Sequence, residues 1–156
     1  MSGKNYRIFL DACSLQRPLD DRSQPRINFE AEAVLTILRL VESEDLQLLS
    51  SESLEFEIDR IPNQYKKSQT KKMLNLARLS IKINDEIEAK AELFIKAGIK
   101  PMDALHLASA SWIKADYFCT CDDKLINQSQ KLTDIETQVI SPVSYTHLRA
   151  HETVLD

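Results

Sequence analysis

Glycine is scarce in this 156-residue sequence, which contains two, Gly3 and Gly98. Glycine-rich phosphate loops and dinucleotide-binding fingerprints each need several glycines, so both are excluded, as are collagen-like repeats and glycine-rich linkers. The apolar runs are a few residues long, far short of a membrane-spanning helix, and no pattern typical of a secretory signal peptide is present. We therefore expect no association with a membrane.

Cysteine is scarce as well, with Cys13, Cys119 and Cys121. Three thiols cannot all pair within one chain. Cys119 and Cys121 also lack the CxxC spacing and the nearby histidine that are typical of a zinc site. We therefore expect no zinc site and a reduced, cytoplasmic setting.

Neither sign of charge is in large excess, since 20 Lys+Arg oppose 24 Asp+Glu and the formal net charge is −4. Bulk electrostatics therefore does not favour nucleic acid, and RNA binding would depend on local basic patches or bound cations. A basic ridge is interpreted as a solvated helix face, with an RNA backbone track as the alternative. This ridge consists of Lys66, Lys67, Lys71 and Lys72. Further candidate RNA contacts are Arg7 and three residues in a loop near Asp11, which are Arg17, Arg22 and Arg26.

Strand-like and helical patterns alternate along the chain, which predicts one α/β domain of three layers with a largely parallel sheet. The predicted strands are Tyr6–Leu10, Leu46–Leu49, Ile81–Ile83, Tyr117–Thr120 and Thr137–Ile140. The predicted helices are Ile27–Glu42, a helix capped by Ser50 or Ser51 that stops at Pro62, Gln64–Leu79, Asp85–Ala97 ended by Gly98, Pro101–Lys114 and Asp123–Gln130.

The last residues do not fit this pattern. After the final strand an amphipathic closing helix would be natural, but the apolar periodicity is lost in SYTHLRAHETVLD, residues 144–156. This segment resembles translated adaptor or vector sequence. We therefore assign residues 1–143 to the domain and interpret residues 144–156 as a non-native tail.

Acidic residues gather where a parallel α/β sheet places its ligands, beyond the carboxyl ends of the strands. Asp11 and Asp122 each follow a predicted strand, Asp103 opens a helix, and a nearby helix contributes a glutamate. Each acid alone is explained by a turn, a helix cap or the helix dipole. Several carboxylates at one edge repel each other unless a cation lies among them, and oxygen ligands suit Mg²⁺ or Mn²⁺. The chemistry indicated is metal-assisted hydrolysis of a phosphodiester.

Two other phosphate-handling folds also begin with an acid after the first strand. A phosphate-transfer enzyme of the haloacid-dehalogenase type needs a second Asp two residues on, where this chain has Cys13. A response-regulator receiver needs an acidic pair near strand one and an Asp after strand three, and residues 81–85 offer little of this kind. Both alternatives are disfavoured.

Four stretches in order, RIFLDACSLQRP, SSESLEFEI, PMDALHLASA and FCTCDDKL, resemble the PIN-domain family. The similarity covers Tyr6 to Val143 and is greatest to the small ribonucleases of the VapC type, toxins of bacterial toxin–antitoxin pairs. It implies a three-layer fold with strand order 3-2-1-4-5 and Mg²⁺- or Mn²⁺-dependent cleavage of RNA. It also implies a VapB-like antitoxin as partner and a homodimer. The family's acidic quartet matches Asp11, Glu57, Asp103 and Asp122 in this sequence.

The glutamate of this quartet is chosen by two criteria. The family pattern puts it six residues after a serine and just before an apolar residue, which Ser51, Glu57 and Ile58 satisfy. On a helical wheel Glu57 borders the buried face, whereas Glu52 lies on the far side, so Glu57 ranks first and Glu52 second. The same wheel turns Phe56 outward.

Several neighbours of the acids have supporting or structural interpretations. Asp122 is preferred over Asp123 because of the Thr120-x-Asp122 spacing, and Asp123 is assigned to capping the next helix. Thr120 and Ser14 are candidate supporting residues. His106 is interpreted as a helix residue with a satisfied ring. The alternative function is a non-catalytic PIN-fold binding module.

Overall fold

Five parallel strands form a single sheet in the order β3-β2-β1-β4-β5. The strands are β1 (Arg7–Leu10), β2 (Gln47–Ser51), β3 (Leu79–Ile81), β4 (Tyr117–Cys119) and β5 (Gln138–Ile140). The structure is a computed structural model that describes residues 5–155 and the side chains of residues 5–151. Residues 1–4 and 156 of the predicted segments lie outside the described residues. The α/β class and the strand order implied by the resemblance are confirmed.

Helices cover both faces of this sheet. Within residues 5–155 they are α1 (Ala12–Gln16), α2 (Pro25–Glu42), α3 (Glu52–Asp59), α4 (Gln64–Leu74), α5 (Asp85–Lys96), α6 (Pro101–Trp112), α7 (Asp123–Ser129) and α8 (Pro142–Leu155), with a 3₁₀ turn at Arg17–Leu19. Ile8 and Leu10 of β1 face a core that includes residues of α2, α3 and α8, whereas Phe9 faces a second core with α5 and α6. Because both faces of the strands are buried, β1 reads as a continuous apolar run.

Three residues that were predicted to begin or end helices do so in the structure. The Ser51 hydroxyl accepts a hydrogen bond from the Leu54 N–H and caps α3. Pro101 begins α6, where its missing N–H is not needed. Gly98 follows the last residue of α5 and its cap with a φ of 105°, a left-handed conformation that glycine adopts without strain.

Two local predictions are wrong. Helix α4 ends at Leu74 and not at Leu79, and β3 occupies Leu79–Ile81 and not Ile81–Ile83. Leu79 lies opposite Leu49 on β2, so pairing with the neighbouring strand fixes the register of this edge strand. No element was predicted for Ala12–Gln16, where the structure has α1, because this helix is little more than one turn long and too short to show a period.

A helix also occupies the segment that was interpreted as a tail. Helix α8 runs from Pro142 to Leu155, and it packs Tyr145, which is 2% exposed, and Leu148 against the core. The Tyr145 ring meets the Tyr117 ring edge-on at 5.1 Å between centroids. The lost periodicity therefore does not prevent a helix here, because a few apolar side chains suffice to anchor it. The non-native origin of the segment stays a prediction.

Candidate active site

Asp11 lies where β1 ends, and it is the N-cap residue of α1. Its Oδ1 accepts hydrogen bonds from the Ser14 N–H at 3.0 Å and from the Cys13 thiol at 3.1 Å. Its own N–H donates to the Cys119 carbonyl at 3.1 Å, which ties it to β4. Asp11 is 7% exposed, and burial raises its pKa, while hydrogen bonds from Thr120, Cys13 and Ser14 act in the opposite direction. The fold therefore holds a carboxyl group where its charge lacks the solvation that water or a cation supplies.

Asp122 lies beyond the end of β4, the strand that pairs with β1. Its N–H donates to the Thr120 hydroxyl at 3.1 Å, and its Oδ1 accepts from the N–H groups of Lys124 at 3.0 Å and Leu125 at 3.3 Å. These bonds make Asp122 the N-cap of α7. The carboxylate is thus fixed by its own helix at the same edge of the sheet as Asp11.

The cap of α7 differs from the prediction, which gave this role to Asp123. Asp123 is instead the first residue of the helix, and its Oδ1 forms an ion pair with Arg26 at 2.9 Å. The guanidinium of Arg26 lowers the pKa of Asp123. The sequence could not separate these neighbours by capping, because either acid is a good N-cap residue.

The two candidate supporting residues, Thr120 and Ser14, both make hydrogen bonds close to the acids. Thr120 is fully buried, accepts the N–H of Asp122, and its hydrogen bond to Asp11 lowers the pKa of that acid. One hydroxyl thus contacts both acids that follow the central strands. The Ser14 hydroxyl donates to the Cys119 carbonyl at 3.4 Å. Ser14 therefore holds α1 against β4.

The pKa of Asp103 is influenced by the other three acids. It lies in the first turn of α6 and is partly buried. Burial raises its pKa, the neighbouring His106 ring lowers it, and the carboxylates of Asp11, Glu57 and Asp122 raise it. Carboxylates influence each other in this way only when they are close in space. Asp103 is therefore linked electrostatically to acids from three other segments of the chain.

Glu57 is held from α6 by His106. Its Oε1 lies 2.7 Å from Nε2 of His106, whose Nδ1 lies 3.0 Å from the Ser53 hydroxyl. The Glu57 side chain is 41% exposed, whereas that of His106 is 3% exposed. The ring is satisfied at both nitrogens, as the sequence predicted. Its bond to Glu57 was not predicted, because 49 residues separate the two in the chain.

Glu52 is not part of this group. Its Oε1 accepts the N–H of Ile83 at 2.9 Å, in the segment between β3 and α5. Glu52 thus anchors the segment that follows the edge strand, and the ranking of Glu57 before Glu52 stays a prediction.

The four acids do not form a ready-made cage for an ion. Among the side chains of residues 5–151, no group of three or more His, Cys, Asp or Glu residues is placed to hold a metal ion. The donor set nevertheless fits Mg²⁺ or Mn²⁺, because it consists of carboxylate oxygens. Mg²⁺ usually keeps several waters and binds through one or two carboxylates. Asp11, Asp103 and Asp122 are the residues that would hold such an ion, directly or through waters.

Most basic residues near the site are already engaged in ion pairs. Arg17 and Arg26 both contact Glu30, a buried carboxylate on α2. In the basic ridge, Lys66 pairs with Asp20. Two further ridge residues, Lys67 and Lys71, pair with Asp59. These pairs favour a structural interpretation of the ridge.

Arg60 is a cation near the site that the sequence reading did not select. An open groove with a volume of about 530 Å³ runs beside Glu57, and its wall includes Phe56, Arg60 and Met102. Phe56 is 52% exposed, as the wheel predicted, and the Arg60 guanidinium lies 5.3 Å from its ring centroid. The spacing of four residues between an aromatic and an arginine on one helix is the signal that could have identified this pair.

Comparison with known sequences leaves the chain without a match: no family model matches it, and no curated protein does. No helix within the described residues has the length and apolar character needed to cross a membrane.

Comparison with solved structures gives a different result. The VapBC2 structure from Rickettsia felis, bound to a DNA fragment from its promoter, shares 9% identity with a TM-score of 0.56, over 86% of this chain and 99% of that one. VapC20 of Mycobacterium tuberculosis, described as a toxin that cleaves the sarcin-ricin loop, shares 12% identity with a TM-score of 0.54, over 82% and 98%. PAE2754 of Pyrobaculum aerophilum shares 13% identity with a TM-score of 0.50, over 94% and 96%. At such low identity the likeness shows the fold, and this chain has the fold of VapC-type PIN domains.

Proposed function

We propose that this chain is an Mg²⁺- or Mn²⁺-dependent endoribonuclease, the toxin of a type II toxin–antitoxin pair. The observation that carries the proposal is the placement of Asp11 and Asp122 just beyond the ends of the paired strands β1 and β4, with Asp103 in the first turn of α6. The carboxyl ends of parallel strands are the place where such sheets bind ligands, which supports a site at Asp11 and Asp122. The VapC-type fold supports the same activity.

The residues divide the work as follows. Asp11, Asp103 and Asp122 would hold the ion, directly or through waters, and Thr120 and Ser14 orient the segments that carry two of them. When bound, Mg²⁺ or Mn²⁺ supplies Lewis acidity, which lowers the pKa of a water and neutralises charge on the phosphate. Glu57 accepts a hydrogen bond from the attacking water and so directs it toward phosphorus. The cleavage is a hydrolysis of the phosphodiester bond.

Two neighbouring acids provide a matched test. Asp122→Asn keeps an oxygen for the N-cap of α7 but removes the charge. Asp123→Asn removes a charge one residue away, on a side chain that is exposed and paired with Arg26. With single-stranded RNA and Mg²⁺, we expect Asp122→Asn to lose cleavage and Asp123→Asn to retain it. Equal activity of the two variants, or equal cleavage by the parent protein in EDTA, would refute the proposal.

The partners follow from the same proposal. The VapBC2 structure contains toxin and antitoxin together with promoter DNA, so we propose a VapB-like antitoxin for this chain. We also propose RNA as the substrate, a homodimer as the assembly and the cytoplasm as the location. Mass measurement of the purified chain by light scattering, alone and after co-expression with the product of an adjacent gene, tests the homodimer and the antitoxin.

A non-catalytic binding module with this fold is the second candidate. It is favoured by one observation, the absence of three metal-ligating side chains placed around a common point among residues 5–151. Millimolar Mg²⁺ or Mn²⁺ discriminates between the two functions. A rise in Tm that Asp122→Asn abolishes and Asp123→Asn retains supports the nuclease, and no rise in the parent protein supports the binding module.

A further inference from the structure

We propose that His106 is a positioning residue that holds the Glu57 carboxylate in one orientation beside the acids at the carboxyl ends of the strands. The inference rests on the proposed function and deepens it, because it explains how a partly exposed glutamate keeps one orientation. It starts from the bond of 2.7 Å between Nε2 of His106 and Oε1 of Glu57.

The hydrogen bonds around His106 form a chain. Which group donates in each bond is determined by the two ends of the chain, one of which can only donate and the other only accept. At one end the Leu54 N–H, which is only a donor, bonds the Ser51 hydroxyl at 3.1 Å. The Ser51 hydroxyl lies 3.1 Å from that of Ser53, which lies 3.0 Å from Nδ1 of His106. At the other end an ionised Glu57 carboxylate is only an acceptor.

This arrangement selects one protonation pattern for a neutral imidazole. Nε2 carries the hydrogen and donates it to Glu57, so Nδ1 has a free lone pair and accepts the Ser53 O–H. The Ser51 O–H then donates to Ser53, and every hydroxyl in the chain has one donor and one acceptor partner. Bonds aligned in one direction polarise each other in a buried environment, which holds the ring in place.

The buried ring also links two acids across two helices. His106 lies one turn after Asp103 on α6, whereas Glu57 lies on α3. The bond therefore fixes the distance between Glu57 and the helix that carries Asp103. A glutamate side chain with three rotatable bonds and 41% exposure would otherwise sample several rotamers. A histidine needed only for packing in the core would not require a hydrogen bond to this carboxylate.

Two amide substitutions separate positioning from packing. Asn at position 106 places its amide near the former Nδ1 and retains a partner for Ser53, but it cannot reach Glu57. Gln places its amide near the former Nε2 and retains a donor for Glu57. We expect His106→Asn to lower kcat by about 10- to 100-fold with KM little changed, as is usual for the loss of an outer partner of a catalytic ligand. We expect His106→Gln to recover most of that loss.

A third variant approaches the chain from its other side. Ser53→Ala leaves the ring and Glu57 in place but removes the partner of Nδ1, so the fall in kcat is expected to be smaller than for His106→Asn. The melting temperature of each variant shows whether the fold is intact. Equal kcat for His106→Asn and His106→Gln at similar Tm would overturn the inference.

A crystallographic measurement keeps this inference separate from the nuclease proposal. In a crystal structure of His106→Asn, the Glu57 carboxylate is expected to leave its position, whereas in His106→Gln it is expected to stay. A carboxylate that stays in both variants overturns the positioning role even if the parent protein cleaves RNA. If the parent protein does not cleave RNA, the nuclease proposal fails, and the position of Glu57 still decides this one.

Discussion

Replacing Asp11 by Asn is expected to abolish cleavage and to stabilise the metal-free protein. Asn is about as good an N-cap residue as Asp. Its amide oxygen can still accept the hydrogen bonds that the Ser14 N–H and the Cys13 thiol donate to Asp11. The change therefore removes the buried charge and keeps these two bonds, although the bond with Thr120 depends on which side of the amide faces that hydroxyl, so that its effect on stability reports mainly the electrostatic cost of the acid.

The sign of the stability change follows from the pKa of Asp11. Burial raises this pKa in the folded state above the ordinary value of 3.8. The ionised acid therefore opposes folding at neutral pH, by about 1.4 kcal/mol for each pKa unit of the rise. Removing the charge should raise Tm by about 2–4 °C for each kcal/mol gained by a chain of this size. Cleavage should fall by about 10²-fold or more, because an amide is a poorer ligand for a hard cation and leaves charge on the phosphate less compensated.

Thermal melts in EDTA and cleavage assays in Mg²⁺ test both parts on the same preparations. Asp123→Asn is the matched control, because Arg26 lowers the pKa of Asp123 and removal of that charge cannot stabilise the fold in the same way. We expect Asp11→Asn to melt above the parent protein and Asp123→Asn not to. A lower Tm for Asp11→Asn would show that the buried charge is compensated within the fold, and the reasoning would be refuted.

Three further outcomes are expected. Burial raises the pKa of Asp11 and Asp103, so their contribution to metal-free stability is lost as pH rises through those folded-state values. Mg²⁺ should therefore raise Tm more at about pH 7.5 than at about pH 5. An equal rise in Tm at the two pH values would contradict this. Glu57→Gln should lower cleavage while Glu55→Gln on the same helix, which bonds two serines, should not; RNA cleavage assays of both variants decide. Tyr145→Ala should lower the free energy of unfolding by about 3 kcal/mol, measured by urea denaturation, with Tyr145→Phe nearly neutral; no loss would show that α8 contributes nothing to stability.

The sequence predicts the acidic edge because the acids follow simple features of the chain. Asp11 and Asp122 come directly after apolar strands, and Asp103 follows a proline that begins a helix. In a parallel sheet these positions all lie at one edge, so convergence follows from the order of elements. The same logic fails for β3, where Ile81 alone is buried and the pairing with β2 sets the register.

Contacts between distant residues were beyond the reach of sequence periodicity. The bond between His106 and Ser53 spans 53 residues, and that between Arg26 and Asp123 spans 97. Neither spacing reflects a helical or strand period, so only packing of α3 on α6 and of α2 beside α7 creates them. The capping role of Asp122 was missed for a related reason, since its competitor Asp123 is occupied by Arg26 from another helix.

The arrangement of the four acids indicates what kind of metal ion this site can accept. Among the side chains of residues 5–151, no three metal-ligating groups are placed to hold an ion. The charges of Asp11, Glu57 and Asp122 nevertheless raise the pKa of Asp103. Mg²⁺ tolerates this arrangement, because it keeps waters and takes further oxygen ligands from substrate phosphates. RNA and the ion would then raise each other's affinity by the same factor, as binding linkage requires. A chain with a net charge of −4, in which Arg17, Lys66 and Lys71 are engaged in ion pairs, could bind RNA in this way, since the ion would supply positive charge beside the acids.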